Sequence, residues 1–342
     1  MRAAVLYDLD DIRIERRPIP ELLDGDILVK TEASGICSGD VMAWYIRRKA
    51  PLVFGHEPVG TVVASRSAVP FALGDRVFVH HHAPCFTCRS CLRGDFVQCS
   101  TWRSSRIEPG AMAEYFRVPA VNLGDTLQLP PQLDAVSGSL VEPLACVVKS
   151  LRRAQPKPGD VVYVIGLGVM GLMHVALARA RGHAVVASDF SPARRAYADA
   201  LGAAALDAAT YVAGALREGT NGRGADIVIC GPGSPQALHH ALDAAAPGGT
   251  VLMFTPLEPG KPFAFDQSEA YFRDLSLVSS YSCGPDDTRA ALALLAAGTI
   301  TPDMLGVERV PFDEIAAAYA DLRMGLSIKP VVVFENAARP SR

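Results

Sequence analysis

The sequence predicts a two-domain α/β protein, in which a doubly wound parallel sheet is combined with a mostly antiparallel β domain. Residues 160–189 read as a strand, a glycine-rich turn, a helix and a second strand. Helices and strands continue to alternate as far as about residue 280, which is typical of a parallel sheet covered by helices. Residues 1–80 instead contain short apolar strands separated by Pro, Gly and Asp, and this spacing favours an antiparallel sheet.

Length and composition are those of an ordinary globular protein. The chain has 342 residues, of which 49% are hydrophobic and 20% are charged, so it is long enough for two domains. A net charge of −3 gives no reason to expect nucleic acid or an anionic membrane as a partner. Asp8 interrupts the N-terminus before an apolar segment of signal-peptide length can form. We therefore expect a cytoplasmic protein with reduced thiols.

A thiol, an imidazole and a carboxylate lie close to the first predicted strands. Cys37 follows the strand that includes residues 26–30, and His56 and Glu57 precede the strand at residues 60–63. Zinc accepts this mixture of ligands in catalytic sites that keep a fourth position open. A cysteine or histidine taken alone would more often belong to a hydrophobic core, so the residue types by themselves leave both interpretations open.

Four cysteines give the most specific metal signature of the sequence. They follow the spacing C-x2-C-x2-C-x7-C and are Cys85, Cys88, Cys91 and Cys99. Four thiolates so close together can surround one metal ion tetrahedrally. A disulfide pair is disfavoured in a reducing compartment, and the bacterial ferredoxin pattern has three residues, not seven, before its fourth cysteine. The spacing predicts a structural zinc, which four sulfurs close and which therefore has no catalytic role.

Histidines and a glutamate in the neighbouring segments could also bind metal. The histidines at residues 80–82 are consecutive, and since side chains on a strand alternate faces, we predict strand and edge roles for them. Glu142 lies among apolar residues of a helix predicted over residues 134–153. A buried carboxylate is costly unless a positive group such as a metal ion compensates it, and a solvated glutamate is the ordinary alternative. Proline-rich residues 155–158 then mark a domain boundary.

The turn at residues 166–171 carries the signature of a dinucleotide-binding site. It reads Gly166-Leu167-Gly168-Val169-Met170-Gly171, lies between a predicted strand and a predicted helix, and is followed by Asp189 at the end of the next strand. Two glycines let the backbone turn and approach a pyrophosphate, and the third lets helix and strand pack. An ordinary βα turn is the first alternative, and the register of strand, turn, helix and acid disfavours it. A membrane span is the second, and the three glycines, a histidine and the bounding Pro158 and Arg179 disfavour it.

Asp189 predicts the choice of cofactor. A carboxylate at this position can accept hydrogen bonds from the adenosine-ribose hydroxyls and would repel a 2′-phosphate. We therefore predict NAD rather than NADP, with Arg194, a helical turn further on, as a group that could soften the repulsion.

The remaining elements alternate along the chain to its C-terminus. Helices are predicted at residues 192–201, 235–246, 287–297 and 313–322, and strands at residues 225–230, 249–254, 275–279 and 330–334. Residues 337–342 are predicted to form a frayed tail.

In this order the motifs resemble the zinc-containing medium-chain dehydrogenase/reductase family, close to its sorbitol and threonine dehydrogenase branch. The residues that carry the resemblance are 35–37, Asp40, 55–57, the four-cysteine loop, 110–115, 142–145, and the glycine turn with Asp189. The resemblance implies a GroES-like catalytic domain that is split between residues 1–148 and 284–342. It also implies a contiguous Rossmann domain at residues 149–283 that binds the dinucleotide.

Matched position by position, the resemblance implies that Cys37 and His56 are ligands of a catalytic zinc, with Glu57 or Glu142 supplying a carboxylate. Asp40 resembles the acid that orients the ligand histidine. A substrate alcohol would take the open position, and its hydride would pass to the nicotinamide. The chain is thus expected to be an NAD-dependent zinc alcohol or polyol dehydrogenase with two zinc ions per chain. A small alcohol, ketone or aldehyde is the expected substrate, and a homodimer or homotetramer the expected assembly.

The sequence departs from the family pattern where the substrate proton would leave. The family usually has Ser or Thr two residues after the ligand cysteine, whereas this chain has Gly39, and Met42 stands where some members have histidine. Ser38, displaced by one position, is the candidate relay. Two alternatives stay open. One is an NADP-linked or polyol-phosphate dehydrogenase, with the basic residues 47–49 recognising the phosphate, and the other is a nucleotide-binding protein without turnover.

Overall fold

The computed structural model of the chain describes residues 1–68 and 71–334. The chain divides into two units, one formed by Met1–Ala145 with Cys283–Arg342 and the other by Cys146–Ser282. Within the described ranges, none of the helices combines the length and apolar character that a membrane crossing requires. The tail predicted at residues 337–342 lies outside the described residues.

The first unit begins with short strands and short helices. Its strands up to residue 145 are β1 (Arg2–Asp8), β2 (Asp11–Arg16), β3 (Ile27–Gly35), β4 (Leu52–Val53), β5 (Pro58–Ser65), β6 (Arg76–Val79), β7 (Tyr115–Val118) and β8 (Thr126–Gln128). Its helices are α1 (Ala43–Ile46), α2 (Arg89–Leu92), α3 (Ser100–Ser104) and α4 (Ala135–Ser139). The prediction of one continuous helix over residues 134–153 is wrong, because this segment forms two helices. α4 ends before Leu140, and α5 (Val141–Ala154) begins after it.

The second unit alternates strands and helices throughout. Its strands are β9 (Val161–Ile165), β10 (Ala184–Asp189), β11 (Ala204–Asp207), β12 (Ala225–Cys230), β13 (Ala245–Met253) and β14 (Ser276–Ser279). Its helices after α5 are α6 (Val169–Ala180), α7 (Pro192–Ala200), α8 (Val212–Gly219), α9 (Pro235–Ala244) and α10 (Gln267–Phe272). The sequence did not predict β11, α8 or α10. The helix predicted at residues 235–246 is too long, because Ala245 and Ala246 already pair as part of β13.

The chain then returns to the first unit. The return consists of α11 (Pro285–Ala296), β15 (Val307–Pro311), α12 (Ile315–Met324) and β16 (Lys329–Val333). Of these, β15 was not predicted.

Two sheets organise the first unit. The smaller has the order β2-β1-β4, and the larger has the order β15-β16-β3-β5-β6-β8, with β7 pairing β3 outside this path. All of these pairings are antiparallel except that of β15 with β16. The prediction of a mostly antiparallel domain is therefore confirmed. Because Val331 of β16 pairs with Gly35 of β3, the last strand lies beside the segment that leads into Cys37.

The second unit is a doubly wound parallel sheet, as predicted. Its strand order is β11-β10-β9-β12-β13-β14, and each described pairing is parallel. The order changes direction between β9 and β12, and ligands of such sheets bind outside the carboxyl ends of the strands at this point. The glycine turn directly follows β9, and Asp189 ends β10, so both dinucleotide signatures lie at this edge.

Candidate active site

Cys37 lies where the chain leaves β3 and enters a single 3-10 turn, Ser38–Val41. The backbone N–H of Gly39 donates a hydrogen bond to the Cys37 sulfur at 3.3 Å, which caps the turn and fixes the thiol. A Cβ atom on Gly39 would meet that sulfur at 3.5 Å, which is an ordinary contact, so the backbone does not require glycine here. The Ser38 side chain is exposed.

His56 and Glu57 immediately precede β5 and face the same point as Cys37. One ligand atom from each of the three side chains lies within 4.8 Å of the other two. The donors are a thiol, an imidazole and a carboxylate, which zinc binds together in catalytic sites. Within the described residues, Glu57 Oε1 is buried and accepts no hydrogen bond. A buried acceptor without a donor is costly, so this oxygen fits a position beside a cation. The residues present therefore fit the predicted zinc.

Asp40 lies behind His56. Its Oδ2 atom is 3.6 Å from Nδ1 of His56, slightly too far for a direct hydrogen bond and close enough for a strong charge interaction. Burial would lower the pKa of His56, but the charges of Asp40 and Cys37 outweigh burial and raise it well above its usual value. Burial raises the pKa of Asp40. The acid thus lies where it can hold the imidazole ring in one orientation.

Lys329, the first residue of β16, is the partner of Glu57. Its Nζ atom lies 2.5 Å from Glu57 Oε2 and donates a second hydrogen bond to the carbonyl oxygen of Ile36 at 3.2 Å. Both charged side chains are almost completely buried, with 1% and 0% of their surface exposed. Burial raises the pKa of Glu57, and the ammonium of Lys329 opposes this effect. A Cβ atom on Gly35 would lie 1.9 Å from Glu57 Oε2, so only glycine leaves room for this pair.

Glu142 lies in the first turn of α5 and belongs to a different group from Glu57. Its carboxylate is within 4.8 Å of ligand atoms of His80 and Cys283, and all three side chains are buried. Its charge nevertheless acts on His56 and Glu57, so it lies close to the first group. Of the two carboxylates implied by the resemblance, Glu57 is the one that the structure groups with Cys37 and His56.

The three consecutive histidines have three different environments. His80 is buried, and its Nδ1 atom is 2.6 Å from Asp125 Oδ2. His81 lies with its ring centre 6.3 Å from that of His56, and its Nδ1 atom is buried without a hydrogen-bond partner in the described structure. His82 Nδ1 is 2.6 Å from the carbonyl oxygen of Ser105. The predicted strand role is wrong, because β6 ends at Val79 and the backbone alternation that separates side chains stops there.

The four-cysteine loop is folded around its sulfurs. The sulfur of Cys91 is 3.5 Å from that of Cys88 and 3.9 Å from that of Cys85, and Cys99 lies 3.6 Å from Cys85. Sulfurs that bind one zinc tetrahedrally at about 2.3 Å are roughly 3.8 Å apart, whereas disulfide sulfurs are about 2 Å apart. The loop packs on the buried ring of Trp102. Its geometry fits a zinc ion and excludes a disulfide in this structure.

The glycine turn of the second unit has the geometry that a pyrophosphate site needs. Gly166 has φ of +86°, and a Cβ atom on Gly171 would lie 1.9 Å from the Gly166 carbonyl oxygen. The N-terminus of α6 opens directly after Gly168. Asp189 accepts hydrogen bonds from the backbone N–H groups of Leu167 at 2.7 Å and Ser191 at 2.8 Å. Asp189 therefore holds the glycine turn in place, and its carboxylate also lies at a position that suits the hydroxyls of a ribose.

Arg194 reaches the same carboxylate, with its Nη1 atom 4.0 Å from Asp189 Oδ2. Arg195 is tied elsewhere, because it donates to the carbonyl oxygen of Asp189 at 2.8 Å and pairs with Asp207 at 3.2 Å. Phe190, directly after the acid, is 74% exposed and offers no polar group to a phosphate. Among the basic residues near the acid, Arg194 is thus the one that bears on cofactor choice.

Sequence reasoning missed three residues beside these groups: Lys329, His80 and Cys283. A lysine at the start of the apolar run 330–334 was a signal, since buried lysines require a charged partner. His80 belongs to the run of three histidines, whose possible metal binding was set aside for a strand role, and Cys283 gave no local signal because its neighbours come from distant segments.

Comparison with known proteins supports the same assignment over the whole chain. The model of the alcohol dehydrogenase GroES-like domain matches residues 23–130, and that of the zinc-binding dehydrogenases matches residues 169–297. D-xylulose reductase A of Aspergillus oryzae is 30% identical over 345 residues, which cover 96% of this chain and 95% of the relative. A relative from Aspergillus clavatus that is given the same name is 32% identical, with the same coverage.

Two solved structures share the fold. Alcohol dehydrogenase TADH from Thermus sp. ATN1 is 29% identical with a TM-score of 0.88, covering 98% of this chain and 100% of that one. A protein assigned to the zinc-binding dehydrogenases from Sinorhizobium meliloti 1021, solved with NADP bound, is 31% identical with a TM-score of 0.86. The latter match covers 97% of this chain and 98% of that one. From its motifs, its two units and these matches, the chain belongs to the zinc-containing medium-chain dehydrogenase/reductase family.

Proposed function

We propose that the protein is a zinc-dependent oxidoreductase that transfers a hydride between a secondary alcohol or polyol and NAD. The observation that carries the proposal is the convergence of Cys37, His56 and Glu57 within 4.8 Å. A nucleotide-binding protein without turnover would have no need of this ligand set. Membership of the dehydrogenase family supports the reaction class, and the name of the Aspergillus oryzae relative supports a polyol and its ketose as the substrate pair.

Each residue group has a task in this reaction. Bound zinc would supply Lewis-acid activation of a substrate hydroxyl, and bound nicotinamide would accept the hydride. Cys37, His56 and Glu57 would hold the metal, Asp40 would fix the ring of His56, and Lys329 would hold Glu57 in place. Oxidation of an alcohol also releases a proton, for which Ser38 offers an exposed hydroxyl next to the ligand thiol.

The coenzyme unit would bind the dinucleotide through its glycine turn. The backbone of residues 166–171 and the N-terminus of α6 suit the pyrophosphate, and Asp189 suits the ribose hydroxyls. We infer a preference for NAD because the carboxylate of Asp189 would repel a 2′-phosphate. The NADP-bound relative and the position of Arg194 favour the alternative, an NADP-linked enzyme.

The polyol-phosphate alternative has weaker support. Its phosphate would have to be recognised by residues 47–49, yet the Arg48 guanidinium lies over the ring of Trp44 and the Lys49 ammonium over that of Tyr45. Arg47 pairs with Asp8 at 3.5 Å. These contacts are typical of a solvated basic surface.

We propose a homo-oligomer in a reducing compartment, in agreement with the expected cytoplasmic location. None of the eight cysteines, all of which lie in the described residues, forms a disulfide. Strand β14 lies at the edge of its sheet, and Tyr271 and Phe272 just before it are 69% and 84% exposed. An unpaired edge beside exposed aromatic side chains suits a symmetric contact between copies. Light scattering at micromolar protein should therefore give a dimer or tetramer, and a monomer would contradict it.

Steady-state assays with each cofactor test the proposed reaction. D-xylulose with NADH, and secondary alcohols and polyols with NAD, should be turned over by the wild-type protein. Cys37→Ser should lose about 10³-fold or more of kcat/KM, because Lewis-acid activation contributes several kcal/mol. Cys230→Ser, which changes a buried thiol of the coenzyme unit, is the matched control and should keep its activity. Zinc-loaded protein without activity on any of these substrates would contradict the proposal.

A further inference from the structure

Tyr319 in α12 connects the C-terminal return to the turn that follows Cys37. Its hydroxyl donates a hydrogen bond to the carbonyl oxygen of Asp40 at 2.6 Å, across 279 residues of sequence. Both residues are buried, with 1% and 5% of their surface exposed. Burial raises the pKa of Tyr319, so its hydroxyl keeps its proton and can donate at neutral pH. Helix α12 is thus joined to the segment that carries the candidate ligand thiol.

The carbonyl oxygen of Asp40 lies where helical structure is interrupted. The 3-10 turn Ser38–Val41 ends at Met42, whose backbone is extended with φ of −79° and ψ of 110°. This extended residue separates the turn from α1, so the Asp40 carbonyl does not belong to a continuous helical ladder. A buried carbonyl group needs a donor, and Tyr319 supplies one at this break.

Asp40 links the two segments that carry the thiol and the imidazole. Its backbone N–H donates to the carbonyl oxygen of Cys37 at 2.9 Å. Its Oδ2 atom lies 3.6 Å from Nδ1 of His56 and has no hydrogen-bond partner in the described part of the chain. A shift of the Asp40 backbone would therefore change how its carboxylate meets the His56 ring.

The ring of Tyr319 lies against the second of these segments. Its centre is 5.8 Å from that of Phe54, with an angle of 78° between the ring planes, and Phe54 lies two residues before His56. Aromatic pairs in this edge-to-face arrangement stabilise each other. Ile36, the residue before Cys37, belongs to the same buried cluster. The hydroxyl of Tyr319 thus holds one ligand segment, and its ring packs on the other.

We propose that Tyr319 is a positioning residue for the candidate zinc site, which is formed by Cys37, His56 and Glu57. Its hydroxyl holds the backbone of Asp40, and Asp40 in turn holds the imidazole of His56 in the orientation that a metal ligand needs. The inference rests on the proposed function, because that function requires the metal. The substitution Tyr319→Phe separates the two parts of the side chain, since it keeps the ring and removes the hydroxyl.

Zinc affinity of matched variants tests the proposal. Tyr319→Phe should weaken zinc binding at the candidate zinc site by about 10-fold, the lower end of the effect of residues that support metal ligands. Tyr163→Phe is the control, because it also removes a buried tyrosine hydroxyl, which lies 2.7 Å from Ser188 Oγ in the coenzyme unit. Both variants should unfold at lower urea concentration than the wild type, but competition with a chelator should show a loss of affinity only in Tyr319→Phe. Wild-type affinity in Tyr319→Phe, or an equal loss in Tyr163→Phe, would overturn the proposal.

Co²⁺ absorption provides a readout of ligand geometry. The bands that disappear in Cys37→Ser identify the candidate zinc site, since the four-cysteine loop is intact in that variant. These bands should change in position or intensity in Tyr319→Phe and stay unchanged in Tyr163→Phe. Unchanged bands in Tyr319→Phe would show that the hydroxyl has only a structural role.

Asp40→Ala tests whether the hydroxyl acts through Asp40. Residues that act through one another are not additive, so Tyr319→Phe should cause no further loss of zinc affinity in the Asp40→Ala background. An additive loss contradicts the proposed route. None of these measurements depends on turnover, so weaker zinc binding in Tyr319→Phe supports the inference even if no alcohol is oxidised, a result that contradicts only the proposed function. A wild-type protein without the bands that depend on Cys37 would contradict both.

Discussion

The ammonium of Lys329 lies 2.5 Å from the carboxylate of Glu57, and the two residues come from opposite ends of the chain. Both are buried, so each charge depends on the other for its stability. Because Lys329 binds Oε2, Glu57 Oε1 is the carboxylate oxygen left without a donor among the described residues. Lys329 is therefore a positioning residue for the candidate zinc ligand.

Lys329→Met should lower the free energy of unfolding by about 3–5 kcal/mol, because removing one partner leaves a buried charge uncompensated. Lys329→Met combined with Glu57→Gln should recover part of the loss. Lys261→Met is the control, since the pair of Lys261 with Glu258 is largely exposed. This substitution should lower the free energy of unfolding by less than about 1 kcal/mol. Urea unfolding measures all four, and a Lys329→Met protein as stable as the wild type would refute the role.

The two ligand sets that the sequence predicts should behave differently when one thiol is removed. Cys88→Ser should lose a zinc equivalent and unfold at a lower temperature, because a structural site contributes folding energy. Cys37→Ser should also lose one equivalent, abolish turnover and keep the fold. Zinc content, thermal unfolding and activity of both variants check this, and an unchanged zinc content in either would contradict the assignment.

Asp189→Asn should lower kcat/KM with NAD by about 10- to 100-fold, because a hydrogen bond to a charged group contributes roughly 1.5–3 kcal/mol. The ratio of NADP to NAD efficiency should rise, since the charge that repels a 2′-phosphate is gone. Arg194→Ala should lower the efficiency with NADP more than that with NAD. Wild-type efficiency that is equal or better with NADP would contradict the predicted preference.

Ser38→Ala should lower kcat by about 10²-fold or more with the KM for NAD unchanged, if its hydroxyl carries the substrate proton. The structure offers a complementary change, because position 39 has room for a larger residue beside the Cys37 sulfur. Gly39→Ser in the Ser38→Ala background should restore part of the rate. Normal kcat in Ser38→Ala across the pH range would eliminate the relay role.

The coenzyme unit should lose stability in mild acid through His174. Burial lowers the pKa of this histidine from 6.5 to about 4, and its ring nitrogens contact the Ser150 hydroxyl and the Met170 carbonyl oxygen. As the pH falls, the unfolded chain binds a proton at this histidine before the native chain does. The contribution of neutral His174 to the free energy of unfolding is therefore complete above about pH 6.5 and declines toward pH 4. At pH 5 the free energy of unfolding should be lower by about 2 kcal/mol.

His174→Gln should remove this dependence. Acid would also protonate the cysteines of the proposed zinc sites, but in wild type and variant alike. The difference between the urea unfolding curves of the two proteins at pH 7.5 and pH 5 therefore isolates the effect of the histidine. His239→Gln, at an exposed position of α9, is the control and should follow the wild type. Identical pH dependence in wild type and His174→Gln would contradict the prediction.

The features that the sequence itself makes visible depend on neighbours in the chain. The glycine turn, the strand before it and the acid of β10 occupy one continuous segment, and the four cysteines lie within 15 residues. The spacing of these residues along the chain is therefore enough to predict a dinucleotide site and a metal site. The grouping of Cys37 with residues 56–57 was accessible through family resemblance alone, because no spacing rule joins a strand end to a residue about twenty positions away.

The parts that were missed depend on sheet register and on breaks in regular structure. Lys329 reaches Glu57 because β16 pairs with β3, a contact across 272 residues. His80 left the predicted strand because β6 ends one residue earlier, which lets its ring turn toward Asp125. The break at Leu140, between α4 and α5, was missed for a similar reason, because residues of helical composition lie on both sides of it.

Because β16 lies in the larger sheet, that sheet can be completed only after the end of the chain has been synthesised. Strands β3 and β5 and the carboxylate of Glu57 leave the ribosome first, and the whole coenzyme unit follows before Lys329 is made. The nascent first unit therefore lacks both the neighbour of β3 and the counter-charge of Glu57 until translation is almost complete. A chain that stops after Ser282 would contain the whole coenzyme unit but only part of the first unit. Cellular proteases that degrade truncated chains would therefore cut the first unit.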